Sequence, residues 1–263
     1  MNDLENKMLA ALKRLKSEFG CLGVKAEFEA EGTRLEELLR LVDITRRADV
    51  KLGIKIGGCE AIKDILDAKQ IGVDYLIAPM IESGYALEKY DQSLKRVYFD
   101  ESSPSSLFNI ETAQGFSCAN DLICLAKESN QISGVVFGRV DYSLSKGMKR
   151  DDINSEEILN DCLEVSRLCK KNDLDFVVGG GVSSYALDFL REIKSIKLDR
   201  FETRKIIFSS DSLNQPDISE GLLLAVKFEL LWLMNKRNYY LNIGKEDAER
   251  IDMLESRWNV LDN

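Results

Sequence analysis

Short apolar runs rich in β-branched residues alternate with longer stretches of helical periodicity along most of the chain, and this alternation restricts the fold more than any other feature. A strand that feeds a helix and is followed by another strand packs as a βα unit around a parallel sheet. The pattern predicts strands at Gly23–Ala30, Leu52–Gly57, Tyr75–Ile81, Leu107–Glu111, Gly134–Asp141, Asp175–Gly181 and Lys205–Ser210. Helices are predicted near Arg34–Ala48, Glu60–Gln70, Gly84–Leu94, Cys118–Glu128, Ser155–Lys171 and Tyr185–Ile193. Seven strands leave a barrel one short, so the eighth is expected at Arg96–Asp100, unless the N-terminal helix takes the place of a first strand.

With 263 residues, only three prolines and no long linker, the chain is expected to be one domain over residues 1–263. The matching architecture is an α/β fold of the TIM (β/α)8 type, which reaches about 250 residues as a single domain. The one low-complexity stretch, Ser102–Ser106, reads as a loop. Past Asp217 the pattern changes to two helices, Ile218–Tyr239 and Lys245–Trp258. Extra C-terminal helices over 218–263 are expected to pack on the barrel or on a neighbouring subunit, which points to a homo-oligomer.

Lys and Arg total 36 against 45 Asp and Glu, a net charge of −9. That balance argues against nucleic acid or an anionic membrane as the partner, since both need a basic surface, but it leaves room for a small anion in a locally basic pocket. No apolar run approaches the roughly 20 residues of a membrane span. The opening stretch MNDLENKMLAALKRLKSEFG reads as an amphipathic helix rather than a signal peptide, so a cytoplasmic location is expected. The six cysteines form no CxxC pair and are expected to be buried free thiols. Histidine is absent, which removes every mechanism built on an imidazole of this chain.

Parallel barrels carry their chemistry at the C-terminal ends of the strands. Glu111 closes FNIET and Asp141 closes VVFGRVD, 30 residues and one βα unit apart, so the two are expected to project towards one mouth. Converging carboxylates there suit a hard divalent cation, Mg2+ or Mn2+, completed by water and substrate oxygens. A helix cap or a salt bridge is the alternative use of the same pair.

At these motifs the chain resembles a known family. FNIETAQGF followed by GVVFGRVDYSLSKG looks like the metal-binding core of the HpcH/HpaI aldolase and citrate lyase β-subunit family, and YLIAPMIES and, more weakly, EFEAEG extend the resemblance. The resemblance implies that Glu111 and Asp141 hold the metal and that a pyruvate-like unit is activated as an enolate. It also implies that the turn after Asp141, with Tyr142 and Ser143, receives the carboxylate of a small-molecule substrate. Two positions depart from the pattern. Lys55, in GIKIGG, stands where the family commonly has an arginine, and Glu29-Ala30 stands where its aldolases carry a Glu-His pair. Lys55 and Glu29 are therefore the candidate catalytic residues, with Glu27 and Glu31 as alternatives to Glu29 in the role of the missing histidine.

Other readings remain open. Lys55 is also a candidate Schiff-base nucleophile, with Lys25 competing for that role. GGGVSS at Gly179–Ser184 is either a phosphate cradle, as in a sugar-phosphate isomerase, or a tight strand-to-helix turn. A barrel that has kept the fold without its catalytic groups is the third reading. Glu202 and Arg204, just before the last strand, are expected to pair at the barrel floor, and Trp232 and Trp258 to serve packing.

Overall fold

In the computed structural model, residues 1–99 and 103–261 are described. Eight strands close into a barrel in chain order: β1 (Cys21–Glu27), β2 (Lys51–Lys55), β3 (Tyr75–Ala78), β4 (Ser105–Ile110), β5 (Ile132–Gly138), β6 (Asp175–Gly179), β7 (Arg200–Glu202) and β8 (Ile206–Ser209). Helices α1 (Asp3–Phe19), α2 (Leu35–Ala48), α3 (Ile62–Ile71), α4 (Gly84–Val97), α5 (Ala113–Ser117), α6 (Ala119–Glu128), α7 (Arg139–Ser145), α8 (Glu156–Asn172), α9 (Leu187–Ile196) and α10 (Ile218–Leu261) make up the helical layer. The period-two alternation of the strands sorts their side chains. Tyr75, Ile77, Leu107, Val136, Val177 and Ile207 form an apolar cluster of their own inside the barrel, while the opposite faces join the larger core beneath the helices.

The barrel departs from the all-parallel expectation at one corner. β1 to β7 pair in parallel, but β8 runs antiparallel to both β7 and β1. The cause is chain length, because a parallel connection needs a crossover of roughly a dozen residues and only Thr203, Arg204 and Lys205 separate the two strands. The chain reverses in a tight turn, with the Thr203 N–H donating to the Ile206 carbonyl at 2.9 Å. The missing strand is therefore β7, three residues long. It is not at Arg96–Asp100, where Arg96 and Val97 end α4 and Asp100 lies outside the described residues. Nor does α1 stand in for a strand.

α1 begins at a capping box, in which Asn2 Oδ1 accepts from Glu5 N at 2.9 Å and Glu5 Oε2 accepts from Asn2 N at 2.8 Å, and it stops at Gly20, whose φ of 67° suits glycine. Its buried face, Met8, Leu12, Leu15 and Phe19, packs against the first half of α10. Gly221 makes the approach possible, since a Cβ there would stand 2.7 Å from the Phe19 ring.

The two helices expected at the C-terminus are one continuous helix of 44 residues, α10. It rises beside α1 and reaches the level of the mouth near Tyr240, whose hydroxyl donates to Glu37 at 2.6 Å. Residues 241–259 beyond it are all exposed, about 30 Å of helix at a rise of roughly 1.5 Å per residue. Among the described residues no helix is long and apolar enough to cross a membrane. All six cysteines are free. Cys21, Cys162 and Cys169 are buried, whereas Cys124 is exposed.

Candidate active site

The C-terminal ends of β1 to β7 and the β7–β8 turn form one mouth, and charged side chains fill it. Glu111, immediately after β4, is 2% exposed. Its Oε1 accepts from the Met80 N–H at 3.0 Å, and its Oε2 accepts from Asn109 Nδ2 at 2.6 Å and from Lys55 Nζ at 3.2 Å. Met80 turns its amide inward at a φ of 49°, a left-handed conformation a methionine seldom adopts. Gly138 leaves the room for this carboxylate, since a Cβ at that position would lie 2.8 Å from Glu111 Cβ and 2.9 Å from Oε2.

Asp141 lies in the first turn of α7 rather than at a strand end, because β5 stops at Gly138. Its carboxylate makes no hydrogen bond or ion pair with the described residues. Partial burial, followed by the negative charge of Glu111, holds its pKa above the ordinary aspartate value. The structure thus brings Glu111 and Asp141 into electrostatic contact, one anchored by three donors and the other free.

Lys55, at the end of β2, lies between two carboxylates, with its Nζ 2.9 Å from Glu29 Oε2 and 3.2 Å from Glu111 Oε2. Burial opposes the charge, but Glu111 and Glu29 outweigh it and the pKa stays above the usual lysine value. That is the reverse of what an amine nucleophile needs. Lys25 is held charged in the same way, 2.5 Å from Glu202 Oε1 and 3.5 Å from Glu27 Oε1.

Glu202 and Arg204 are at the mouth and not at the floor. β7 runs parallel to β6, so its C-terminal end and the turn after it come up at the mouth, beside β1. Arg204 lies 3.1 Å from Glu31 and 3.6 Å from Glu27, and Lys205 pairs with Glu31. Lys205 is fully buried, and desolvation pulls its pKa below the ordinary lysine value despite Glu31. The sequence reading placed Arg204 at the floor, paired with Glu202, and did not single out Lys205. The signal was the brevity of ETRK, which cannot hold a crossover.

Tyr142 and Ser143 face away from the mouth. α7 turns both into the helical layer, where the Tyr142 hydroxyl donates to Asp161 at 2.7 Å and its ring packs on Phe116 and Phe137. Ser143 Oγ donates to the Arg139 carbonyl at 2.8 Å. The glycines of GGGVSS serve close packing. A Cβ on Gly180, at φ 77°, would lie 2.7 Å from Val140 N, and the carbonyls of Gly179 and Gly180 accept from Arg139.

Among the described residues no group of three or more cysteines and carboxylates is arranged to hold a metal. The donor set still suits a cation held by two carboxylates and completed by water or substrate. Asn109 Oδ1, on the side chain that bonds Glu111, is a buried acceptor without a donor. Asp141 likewise receives no donor, and the mouth sets Glu27, Glu29, Glu31, Glu111, Asp141 and Glu202 against the smaller set Lys25, Lys55, Arg204 and Lys205.

Comparison with known structures gives the same fold. An HpcH/HpaI aldolase from Desulfitobacterium hafniense DCB-2 aligns with a TM-score of 0.59 at 11% identity, over 74% of this chain and 82% of that one. An HpcH/HpaI aldolase/citrate lyase family protein from Burkholderia cenocepacia J2315 aligns at 0.60 and 12%, over 89% of each chain. The citrate lyase β subunit from M. tuberculosis, solved with oxaloacetate and magnesium, aligns at 0.51 and 12%, over 80% of this chain and 93% of that one. A search of curated proteins with the sequence finds no match. The sequence profile of the HpcH/HpaI aldolase/citrate lyase family matches residues 30–181, the stretch that runs from the loop after β1 past Glu111 and Asp141 to the glycine turn, and the chain belongs to that family.

Proposed function

We propose that the chain is a divalent-metal-dependent carbon–carbon lyase that cleaves or forms a bond in a 2-oxo acid or a related acid. The observation that carries this reading is the like-charged pair Glu111 and Asp141, the second without a hydrogen-bond donor and with its ionised form disfavoured by partial burial and then by Glu111. Two carboxylates left in that state are stabilised by a shared cation. Family membership and the magnesium-bound citrate lyase β subunit support the choice of Mg2+ or Mn2+.

A bound cation supplies Lewis-acid stabilisation of the charge that grows on the keto oxygen as the carbon–carbon bond breaks. The residues of the chain then divide the remaining work. Lys55 places a fixed ammonium beside Glu111 and complements the developing oxyanion, and its two carboxylate neighbours keep it protonated through the cycle. Glu29, 2.9 Å from Lys55 and without a well-directed hydrogen bond of its own, is the group at hand to take up and return a proton, in a chain with no histidine to do so. The small carboxylate substrate approaches from the mouth. We place the enzyme in the cytoplasm as a homo-oligomer, since the exposed Leu241, Ile251, Leu254 and Trp258 of α10 need a cover.

Calorimetric titration of EDTA-stripped protein with Mn2+ tests the reading. A single site is expected, lost in Glu111→Ala and strongly weakened in Asp141→Ala. Unchanged binding in both variants would end it.

A further inference from the structure

The reading above makes Asp141 a cation ligand, yet nothing bonded to its carboxylate fixes where that carboxylate sits. Its position depends on the backbone of α7, a seven-residue helix with no side-chain cap at its start. The residue two positions earlier is unusual. Arg139 is 0% exposed and has no carboxylate partner among the described residues. Its Nε donates to the Gly179 carbonyl at 3.2 Å, Nη2 to the Gly180 carbonyl at 2.8 Å and Nη1 to Asn154 Oδ1 at 2.5 Å, while the guanidinium stacks 4.8 Å from the Phe189 ring. A guanidinium buried without a counter-charge is costly, and an apolar side chain would fill the same space more cheaply. What an apolar side chain cannot do is bond three acceptors on two separate segments at once.

Those segments border the start of α7, the turn that carries Asp141. Gly179 and Gly180 leave β6 at the mouth, and Gly180 presses its backbone against the amides of Arg139 and Val140 so closely that a Cβ would sit 2.7–2.8 Å from both nitrogens. Asn154 ends the short 3-10 turn Arg150–Asn154 that leads into α8. The guanidinium therefore ties the first turn of α7 to the glycine turn on one side and to the entry of α8 on the other.

We infer that Arg139 is a positioning residue for the cation site: by clamping the glycine turn and Asn154 onto the start of α7, it fixes the Asp141 carboxylate opposite Glu111. The inference rests on the metal reading and adds to it the device that completes the weaker half of the site.

Mn2+ affinity measured by calorimetry, well below the unfolding temperature, tests it. Arg139→Met is expected to lose roughly tenfold or more, the scale of a lost outer-shell partner, and Arg139→Lys, which keeps the charge and one donor direction, to recover part of the loss. Asn154→Ala removes one acceptor, is milder for folding, and should weaken binding in the same direction. Ser166→Ala, which breaks a buried bond to the Lys197 carbonyl away from α7, serves as the control for general destabilisation and should keep the parent affinity. In an Asp141→Asn background, where an amide oxygen preserves measurable binding, Arg139→Met and Asn154→Ala should have little further effect. Parent affinity in folded Arg139→Met and Asn154→Ala, or an equal loss with and without Asp141, would overturn the inference. A parent protein that binds no Mn2+ would instead remove the metal reading beneath it.

Discussion

The ammonium of Lys55 lies 3.2 Å from Oε2 of Glu111, so the strongest fixed positive charge at the candidate cation site is bonded to one of its proposed ligands. This contact separates two chemistries. If Lys55 acts as a charge, Lys55→Arg should keep measurable activity and Lys55→Met should lose about 100-fold, the scale of one lost transition-state donor. Borohydride reduction in the presence of a 2-oxo acid should leave Lys55 unmodified by mass spectrometry. An adduct on Lys55 that forms equally well in EDTA would reverse the assignment in favour of an imine.

Gly138 gives a separate handle on the same carboxylate. A methyl group there has to displace Glu111, because the Cβ would stand 2.8 Å from that side chain. Gly138→Ala should cost about 1–3 kcal/mol of stability by overpacking and weaken Mn2+ binding by roughly tenfold. Full retention of affinity in the folded variant would show that Glu111 does not hold the cation.

Lys25 and Glu202 form a buried pair at 2.5 Å. Breaking it leaves an ammonium with only Glu27 near by, so Glu202→Gln should destabilise the barrel by about 3 kcal/mol, the low end for such a loss. Urea unfolding of the two proteins measures it, and a cost below about 1 kcal/mol would contradict a desolvated pair.

The pH dependence follows from Glu27 and Lys25. Burial raises the pKa of Glu27, but Lys25, Arg204, Lys55 and Lys205 together bring it below the ordinary 4.5. Its folded pKa is the lower one, so its contribution to stability is complete above the unfolded value and is lost as the pH falls through the folded value. The folded pKa of Lys25 is raised above 10.5, so its contribution is complete below the unfolded value and is lost as the pH rises through the folded one. Stability should fall at both extremes. Glu27→Gln should flatten only the acid limb in unfolding curves recorded against pH, and an unaltered acid limb would show that other carboxylates set it.

The C-terminal helix divides at Tyr240. Ile218, Leu222, Ala225, Phe228 and Trp232 are buried in its first half, so removing all of 218–263 should expose the α1 face and leave the protein insoluble. Removing only 241–263 should leave the barrel folded, with its near-ultraviolet circular dichroism intact. If a second copy covers the free half, light scattering should find the full-length chain larger than a monomer and the truncated one reduced. A monomeric full-length chain would refute the homo-oligomer.

Most of the helical layer was legible because it rests on periodicity. Leu38, Leu41, Val42 and Thr45 mark the buried face of α2, and that helix begins and ends within a residue of its predicted limits. Glu111 was legible as a strand-end carboxylate for the same reason. β7 was not, because three residues carry no periodicity and Arg200–Glu202 contains two charged side chains, of which Glu202 is buried and Arg200 partly so in the closed barrel. The inward turn of Tyr142 and Ser143 was equally hidden. It follows from α7 starting at Arg139, whose guanidinium bonds carbonyls some 40 residues further along the chain. The roles of Arg204 and Lys205 followed from the direction of β8, and single-strand patterns do not record direction.

The reversal of β8 also bears on how this barrel tolerates change. At the other corners of the mouth, loops of variable length lead into helices, and an added residue is absorbed without disturbing the sheet. Between Glu202 and Ile206 there is no such slack. The turn pairs Thr203 with Ile206, and its tip carbonyl, that of Lys205, accepts from Lys25 N at 2.8 Å. An inserted residue here shifts the register of β8 against both neighbours and moves Ile207 out of the barrel interior. This corner therefore varies by exchange of side chains at fixed length, while its neighbours are free to grow.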